Sequence, residues 1–368
     1  MSPRSRVAPA TIRTAAAATG ILLAVGRTTA APPPAQNYYF AVDVPTRLGA
    51  NDYTPNQIVR GPGSAWTLET ALPSGTVISA LELSSFNGAW LFAPADPVTI
   101  GASTWTARDV VSVQGMFFNP VISGAANGLP PEARIDALAA EPSGALLLSF
   151  DAPVLIGSTL FGRSDLVRFS GGAWSLAWSA AVAGVPDYAN LVGASRDSAG
   201  SLVVAFDVPV KLAGIDYLPG DLVRWASPGG FSLAAHDSGW PLSSELRDFA
   251  YAPSVGAVPE RQSEGTPLTI AKTGTLITLS WGAACGAAWD TDYEVYEGTI
   301  GSWYSHTARY CSTNGALTSS FVPSAGNFYY LVVARNGPRE GSYGRNSNGA
   351  ERPQAPNACV PKEMATCS

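Results

Sequence analysis

Charge is what this chain has least of. Only 14% of its 368 residues are Asp, Glu, Lys or Arg, and it holds two histidines, three methionines and four cysteines. So thin a charge supply excludes the Glu- and Lys-rich amphipathic helices of bundles and coiled coils. Two isolated histidines, His236 and His306, offer little for imidazole catalysis, and no Gly-x-Ser-x-Gly elbow supplies a nucleophile. Past the first 30 residues, no apolar run is long enough to span a bilayer. What is present instead is 37 Gly, 29 Pro and 10% aromatics, the mixture of many short strands joined by tight turns.

The N-terminus reads as targeting. Arg4, Arg6 and Arg13 precede an apolar stretch from Ala15 to Val25, and Thr28-Thr29-Ala30 follows. This is the layout of a signal peptide over 1–30, so the protein is expected outside the cytoplasm, secreted to the extracellular space or held in the periplasm. Cleavage after Ala30 takes the basic count from 22 to 18 against 28 acids, a net charge of −10. Such a surface repels nucleic acid.

The main signal is an internal repeat. Phe40-Ala-Val-Asp43-Val-Pro45, Phe150-Asp151-Ala-Pro153 and Phe206-Asp207-Val-Pro209 end three near-identical apolar runs, with a weaker copy at Phe92 to Pro97. The prolines are 52, 56 and 56 residues apart, and eight past each stands an aromatic: Tyr53, Trp105, Phe161, Tyr217. A second run then recurs: Gln57-Ile-Val-Arg60, Asp109-Val-Val-Ser112, Asp165-Leu-Val-Arg168 and Asp221-Leu-Val-Arg224. Each unit is expected to form four strands, in the fourth unit Leu191 to Arg196, Ser201 to Phe206, Asp221 to Trp225 and Phe231 to Ala235. The first copy lacks its opening strand, and Glu245 to Ala252 repeats that strand after the fourth copy. A ring closed by its two ends accounts for the offset and leaves no open sheet edge. The small residues Ala137, Ala139, Gly193, Ala194 and Ala250 suit strands converging on a narrow axis.

These units, with runs such as Leu146-Leu-Leu-Ser-Phe-Asp-Ala-Pro-Val154, resemble the β-propeller-type repeats of uncharacterised secreted bacterial proteins. Further on, Asp292-Tyr-Glu-Val-Tyr-Glu-Gly298, Trp303-Tyr-Ser-His306, Tyr329-Tyr-Leu-Val-Val333 and Glu340-Gly-Ser-Tyr-Gly344 resemble a fibronectin type III module of exported bacterial proteins. The expected fold is therefore all-β: a four-bladed propeller over 37–256, a linker over 257–265, an immunoglobulin-like sandwich over 266–357 and a tail over 358–368. Cys285, Cys311, Cys359 and Cys367 lack zinc-site spacing and are expected as disulfides. The sandwich reading places Cys285 and Cys311 at one end and Cys359 at the other, so Cys285–Cys311 and Cys359–Cys367 are the expected pairs.

Candidate chemistry is sparse. The recurrent Asp43, Asp151 and Asp207, and Asp109, Asp165 and Asp221, would suit a carboxylate ring for calcium or for acid–base work on a sugar, or turn caps, and no dense Asp-x-Asp-x-Asp-Gly calcium loop accompanies them. The recurrent aromatics Tyr53, Trp105, Phe161 and Tyr217 are the candidate ligand surface, for a glycan or a protein, with loop staples as the other reading. No cofactor and no metal are expected. A secreted, non-enzymatic binding or scaffold protein is the first functional reading, and a secreted carbohydrate-active hydrolase using the ring's carboxylates is the alternative.

Overall fold

A computed structural model describes residues 38–364, apart from short stretches at 62–65, 85–87, 142, 198, 227–229, 237–239, 242–243, 253–254, 288–290 and 338. The expected signal peptide and Cys367 lie outside the described residues.

The chain is all-β, with one short helix, Ala180–Ala183, among the described residues. Its first part forms four four-stranded antiparallel sheets, each built from consecutive strands except the first. In the fourth the strands are Leu191–Arg196, Leu202–Phe206, Asp221–Ala226 and Gly230–His236, within a residue or so of the periodic expectation. Between the second and third strand of each sheet lies a three-residue hairpin pair, such as Val210–Leu212 with Ile215–Tyr217.

The first sheet is completed from the far end of the repeat. Leu246–Tyr251 pairs antiparallel with Tyr38–Val42, in a register running from Tyr38↔Tyr251 to Val42↔Leu246. Edge-on ring contacts secure this seam, Tyr38 to Phe249 at 5.6 Å and Tyr38 to Tyr251 at 5.9 Å. Each such pair adds ~0.5–1.5 kcal/mol beyond the area it buries.

The opening strands Ile78–Leu83, Ile135–Ala140, Leu191–Arg196 and Leu246–Tyr251 touch one another in cyclic order. The four hydrophobic cores follow the same order, each lying between neighbouring sheets: first with second, second with third, third with fourth, fourth with first. Crowding at the axis explains the small residues there. A Cβ on Gly193 would come within 2.7 Å of the Phe249 ring and 3.1 Å of the Asp248 carboxylate.

Asp248 fills that axis. Its Oδ2 accepts the backbone N–H of Leu81 and Leu138 at 2.7 and 2.9 Å. Its Oδ1 accepts those of Ala194 and Phe249 at 3.0 and 2.7 Å. These four donors occupy the same register position in the four inner strands. One carboxylate thus satisfies four buried N–H groups that have no partner strand on that side. Above it the buried Glu82 accepts the N–H of Leu83 and Ala140 and the hydroxyl of Ser195.

The second part packs a three-stranded sheet (Thr269–Thr273, Leu276–Ser280, Thr318–Phe321) and a four-stranded sheet (Asp292–Thr299, Thr307–Tyr310, Phe328–Asn336, Arg339–Glu340) around one core. Trp281, Tyr293, Phe321 and Val332 belong to that core, and so do Val255 and Val258. The segment read as a linker therefore begins inside it.

The expected disulfide pairing is wrong. Cys311 is bonded to Cys359 across 48 positions. Cys285 is disulfide-bonded as well. The error lies in the path of the chain after Glu340. It turns back over the outer face of the four-stranded sheet, where Tyr343 and Ala355 cover Tyr296 and Val333, and this brings Cys359 to Cys311.

Candidate binding cleft between the third and fourth sheets

The repeated aspartates are engaged by the backbone. Asp109, Asp165 and Asp221 each accept an N–H from three residues earlier, at Thr106, Gly162 and Leu218, all at 2.8 Å. Asp109 and Asp165 also accept the N–H of Gly124 and Ala180 after the fourth strand. Asp43 accepts the N–H of Glu245, and Asp207 that of Asn190, tying the end of one strand to the start of its neighbour. Asp151 faces Arg134 at 3.3 Å. The arrangement is that of turn caps distributed around the ring.

The four recurrent aromatics face inward. Tyr53, Trp105, Phe161 and Tyr217 are 3%, 8%, 2% and 2% exposed, too little for a ligand to stack on. Each closes a hairpin strand whose other two residues are exposed, and its ring joins a core between sheets. Buried in this way, they hold the hairpins down against the cores between sheets.

His306 is fully buried. Its Nε2 lies 3.1 Å from the Pro353 carbonyl, which can only accept, so Nε2 carries the proton and Nδ1 accepts from the Tyr329 hydroxyl at 3.2 Å. Burial holds its pKa below the ordinary value, which keeps the ring neutral. The backbone of His236 ends the strand Gly230–His236.

Asp136 is buried with its two oxygens 2.6 Å from Ser149 Oγ and Asn190 Nδ2. Burial pushes its pKa up to about 8. A protonated Asp136 donates to Ser149 Oγ, leaving that hydroxyl free to donate to the Leu191 carbonyl at 3.1 Å. With the carboxyl neutral, both of its oxygens and the Ser149 hydroxyl are matched.

An open cleft of about 350 Å³ lies between the third and fourth sheets, lined by Glu141, Arg168, Trp178, Arg196 and Trp225 among others. Arg168, third in its Leu-Val-Arg run, donates from Nη2 to Glu141 at 2.7 Å, and the ion pair also brings Nε to 2.7 Å from the other carboxylate oxygen without hydrogen-bond alignment. Arg196 reaches the same carboxylate at 3.3 Å and donates from Nη1 to the Gly200 carbonyl at 2.8 Å. Glu141 raises the pKa of Arg168, which stays charged. Two cations against one anion leave the cleft with a net positive charge in an acidic protein. The half-buried Trp225 forms its apolar wall, backed by the buried Trp178 with the two rings 6.1 Å apart. The indole N–H of Trp178 and Nε of Arg196 have no hydrogen-bond partner among the described residues.

The same ion pair recurs around the ring. Arg224 pairs with Asp197, and Arg60 with Glu363 of the C-terminal tail. In the third and fourth sheets the acid comes from the turn between the first and second strands. At the seam no such turn exists, and the tail supplies the acid instead. The signal for these residues was the arginine closing each Leu-Val-Arg run, which strand alternation places level with the end of the first strand.

No protein family and no curated protein sequence matches the chain. Solved structures similar to it include virginiamycin B lyase of Staphylococcus aureus, 10% identical over 67% of this chain and 92% of that one, TM-score 0.28. PorZ, a surface component of the type-IX secretion system of Porphyromonas gingivalis, is 9% identical over 76% and 54%, TM-score 0.25. The FN1–FN3 fragment of chicken CNTN1 is 8% identical over 83% and 96%, TM-score 0.21. Likenesses this remote say nothing of what the chain binds.

Proposed function

We propose that the chain is a secreted, non-enzymatic recognition protein. In this reading a four-bladed β-propeller over 37–256 carries the binding surface, and a fibronectin type III-like sandwich over 266–357 is its accessory. The observation that carries it is the cleft between the third and fourth sheets. Arg168 and Arg196 outnumber Glu141 there, beside the half-buried indole of Trp225. That combination takes a ligand with an anionic group and a flat apolar face. The hydrolase alternative is disfavoured because most of the ring's recurrent aspartates are held by backbone N–H groups, and Asp136, whose pKa burial pushes up to about 8, is sealed from solvent. Among the described residues no helix is long and apolar enough to cross a membrane.

The test is a binding screen of the purified mature protein on glycan and peptide arrays, run beside hydrolysis assays on esters, peptides and polysaccharides. Retention of an anionic ligand that drops at least tenfold in Arg168→Ala and in Trp225→Ala supports the cleft. Turnover abolished by Asp151→Asn or Asp207→Asn would establish the hydrolase instead.

A further inference from the structure

The second module presents one aromatic turn that its own packing does not explain. Trp303 is 63% exposed, and Tyr304 beside it 44%. Tyr304 adopts φ +70°, a left-handed conformation that is strained for a bulky side chain and recurs at binding sites. The strain is held by specific bonds. The Tyr304 N–H donates to the Tyr329 hydroxyl at 3.1 Å, which donates onward to the buried His306, and Asn346 Nδ2 donates to the Tyr304 hydroxyl at 3.0 Å.

The indole is also backed. Its ring lies 5.4 Å from that of Tyr329 at an interplanar angle of 41°. Tyr329 in turn lies across Gly298, where a Cβ would come within 2.3 Å of the phenol ring. Gly298, Tyr329 and Trp303 thus form a rigid stack covered on one side.

The rim is neutral. The turn 299–306, the segment 326–330 that backs it and the loop 346–350 that braces it contain no Asp, Glu, Lys or Arg, and they supply Ser302, Ser305, Asn327 and Asn346. An anionic ligand would call for cations at this rim, and an aliphatic peptide for a continuous apolar groove. A supported indole with the exposed Ile300 and Tyr304 in the same turn and hydroxyls and amides beside it matches the face of a pyranose ring, whose C–H groups stack on an aromatic surface while its hydroxyls bond the polar groups. We infer that Trp303, backed by Tyr329 and flanked by Tyr304 and Asn346, is a binding site for a neutral glycan, distinct from the charged cleft of the ring.

The experiment is calorimetric titration of the full mature protein with neutral hexasaccharides of glucose, mannose, xylose and N-acetylglucosamine, with hexagalacturonate as the charged control. Saturable binding of at least one neutral probe is expected, weakened on the order of tenfold or more in Trp303→Ala and partly restored in Trp303→Tyr. Arg168→Ala should leave it unchanged, so the two sites fail separately. An unaltered circular dichroism spectrum and melting temperature would show that Trp303→Ala is folded. Three results would overturn the inference: no neutral probe binding at millimolar concentration, binding indifferent to Trp303, or tighter binding of hexagalacturonate. A dimer that Trp303→Ala converts to monomer, with no change in sugar binding, would assign the turn to contact between copies instead.

Discussion

Asp248 Oδ2 accepts the backbone N–H of Leu138 at 2.9 Å, across 110 positions of sequence. The bond is one of four that radiate from a single carboxylate to equivalent N–H groups of the inner strands, so Asp248 acts as the hub of the ring.

Asp248→Asn tests the hub. An amide offers one accepting oxygen and turns two of its own hydrogens toward N–H groups that need an acceptor. Two buried donors are left unmatched, at ~1–3 kcal/mol each. Denaturant unfolding should show a loss of roughly 2–6 kcal/mol; a loss below about 0.5 kcal/mol, the size of a bland surface change, would refute the hub role.

The buried Asp136 predicts a pH dependence. Its pKa in the folded chain is about 8, against about 4 in an unfolded one. The folded state therefore holds the proton more tightly. This contribution to stability is fully present below the unfolded pKa and is lost as pH rises toward 8. The loss runs at roughly 1.4 kcal/mol per pH unit across that window. Asp136→Asn keeps the neutral network, with Nδ2 donating to Ser149 and the amide oxygen accepting from Asn190. Its melting temperature should fall less than the wild type's between mildly acidic and mildly alkaline buffer. Parallel curves for the two proteins would refute the assignment.

Peptide mapping without reductant should recover Cys311 joined to Cys359. Replacing both by Ala removes a closure across 48 residues, worth about 4 kcal/mol in the chain-entropy treatment. The loss should appear in the unfolding of the second module.

A chain ending before Leu246 lacks the inner strand of the first sheet and the hub together. It should lose cooperative unfolding, seen as separate transitions by fluorescence and circular dichroism. A single sharp transition would mean that the ring does not depend on its seam.

Much of the fold was legible because the sequence repeats it. Four copies of the same run average out local ambiguity, which is why Ile135–Ala140 is a strand although Pro131 to Ala140 has the composition of a helix. The aromatics were visible for the same reason, but recurrence does not say which way a ring faces. The alternation within each hairpin strand, two exposed residues and then the aromatic, held that information. The tail was illegible because nothing in it repeats. Its course depends on Tyr343 and Ala355 finding Tyr296 across the sheet, and the error in the disulfides followed. The cleft was half legible: Arg168 recurs in a motif, whereas Glu141, Trp178 and Trp225 become its neighbours only when two sheets are set side by side.

The seam also decides how the ring responds to mechanical load. Tyr38 and Tyr251 are register partners, so the chain enters and leaves the ring side by side. Tension drawn between those two residues peels one strand from the other, a single rung at a time, and never loads the ladder in shear, where all its bonds would resist at once. Tyr39, the second rung, also pairs with Arg60, which the tail grips through Glu363. That grip sits where peeling starts. A pulled molecule should open there, at low force, and unroll into a string of three intact sheets.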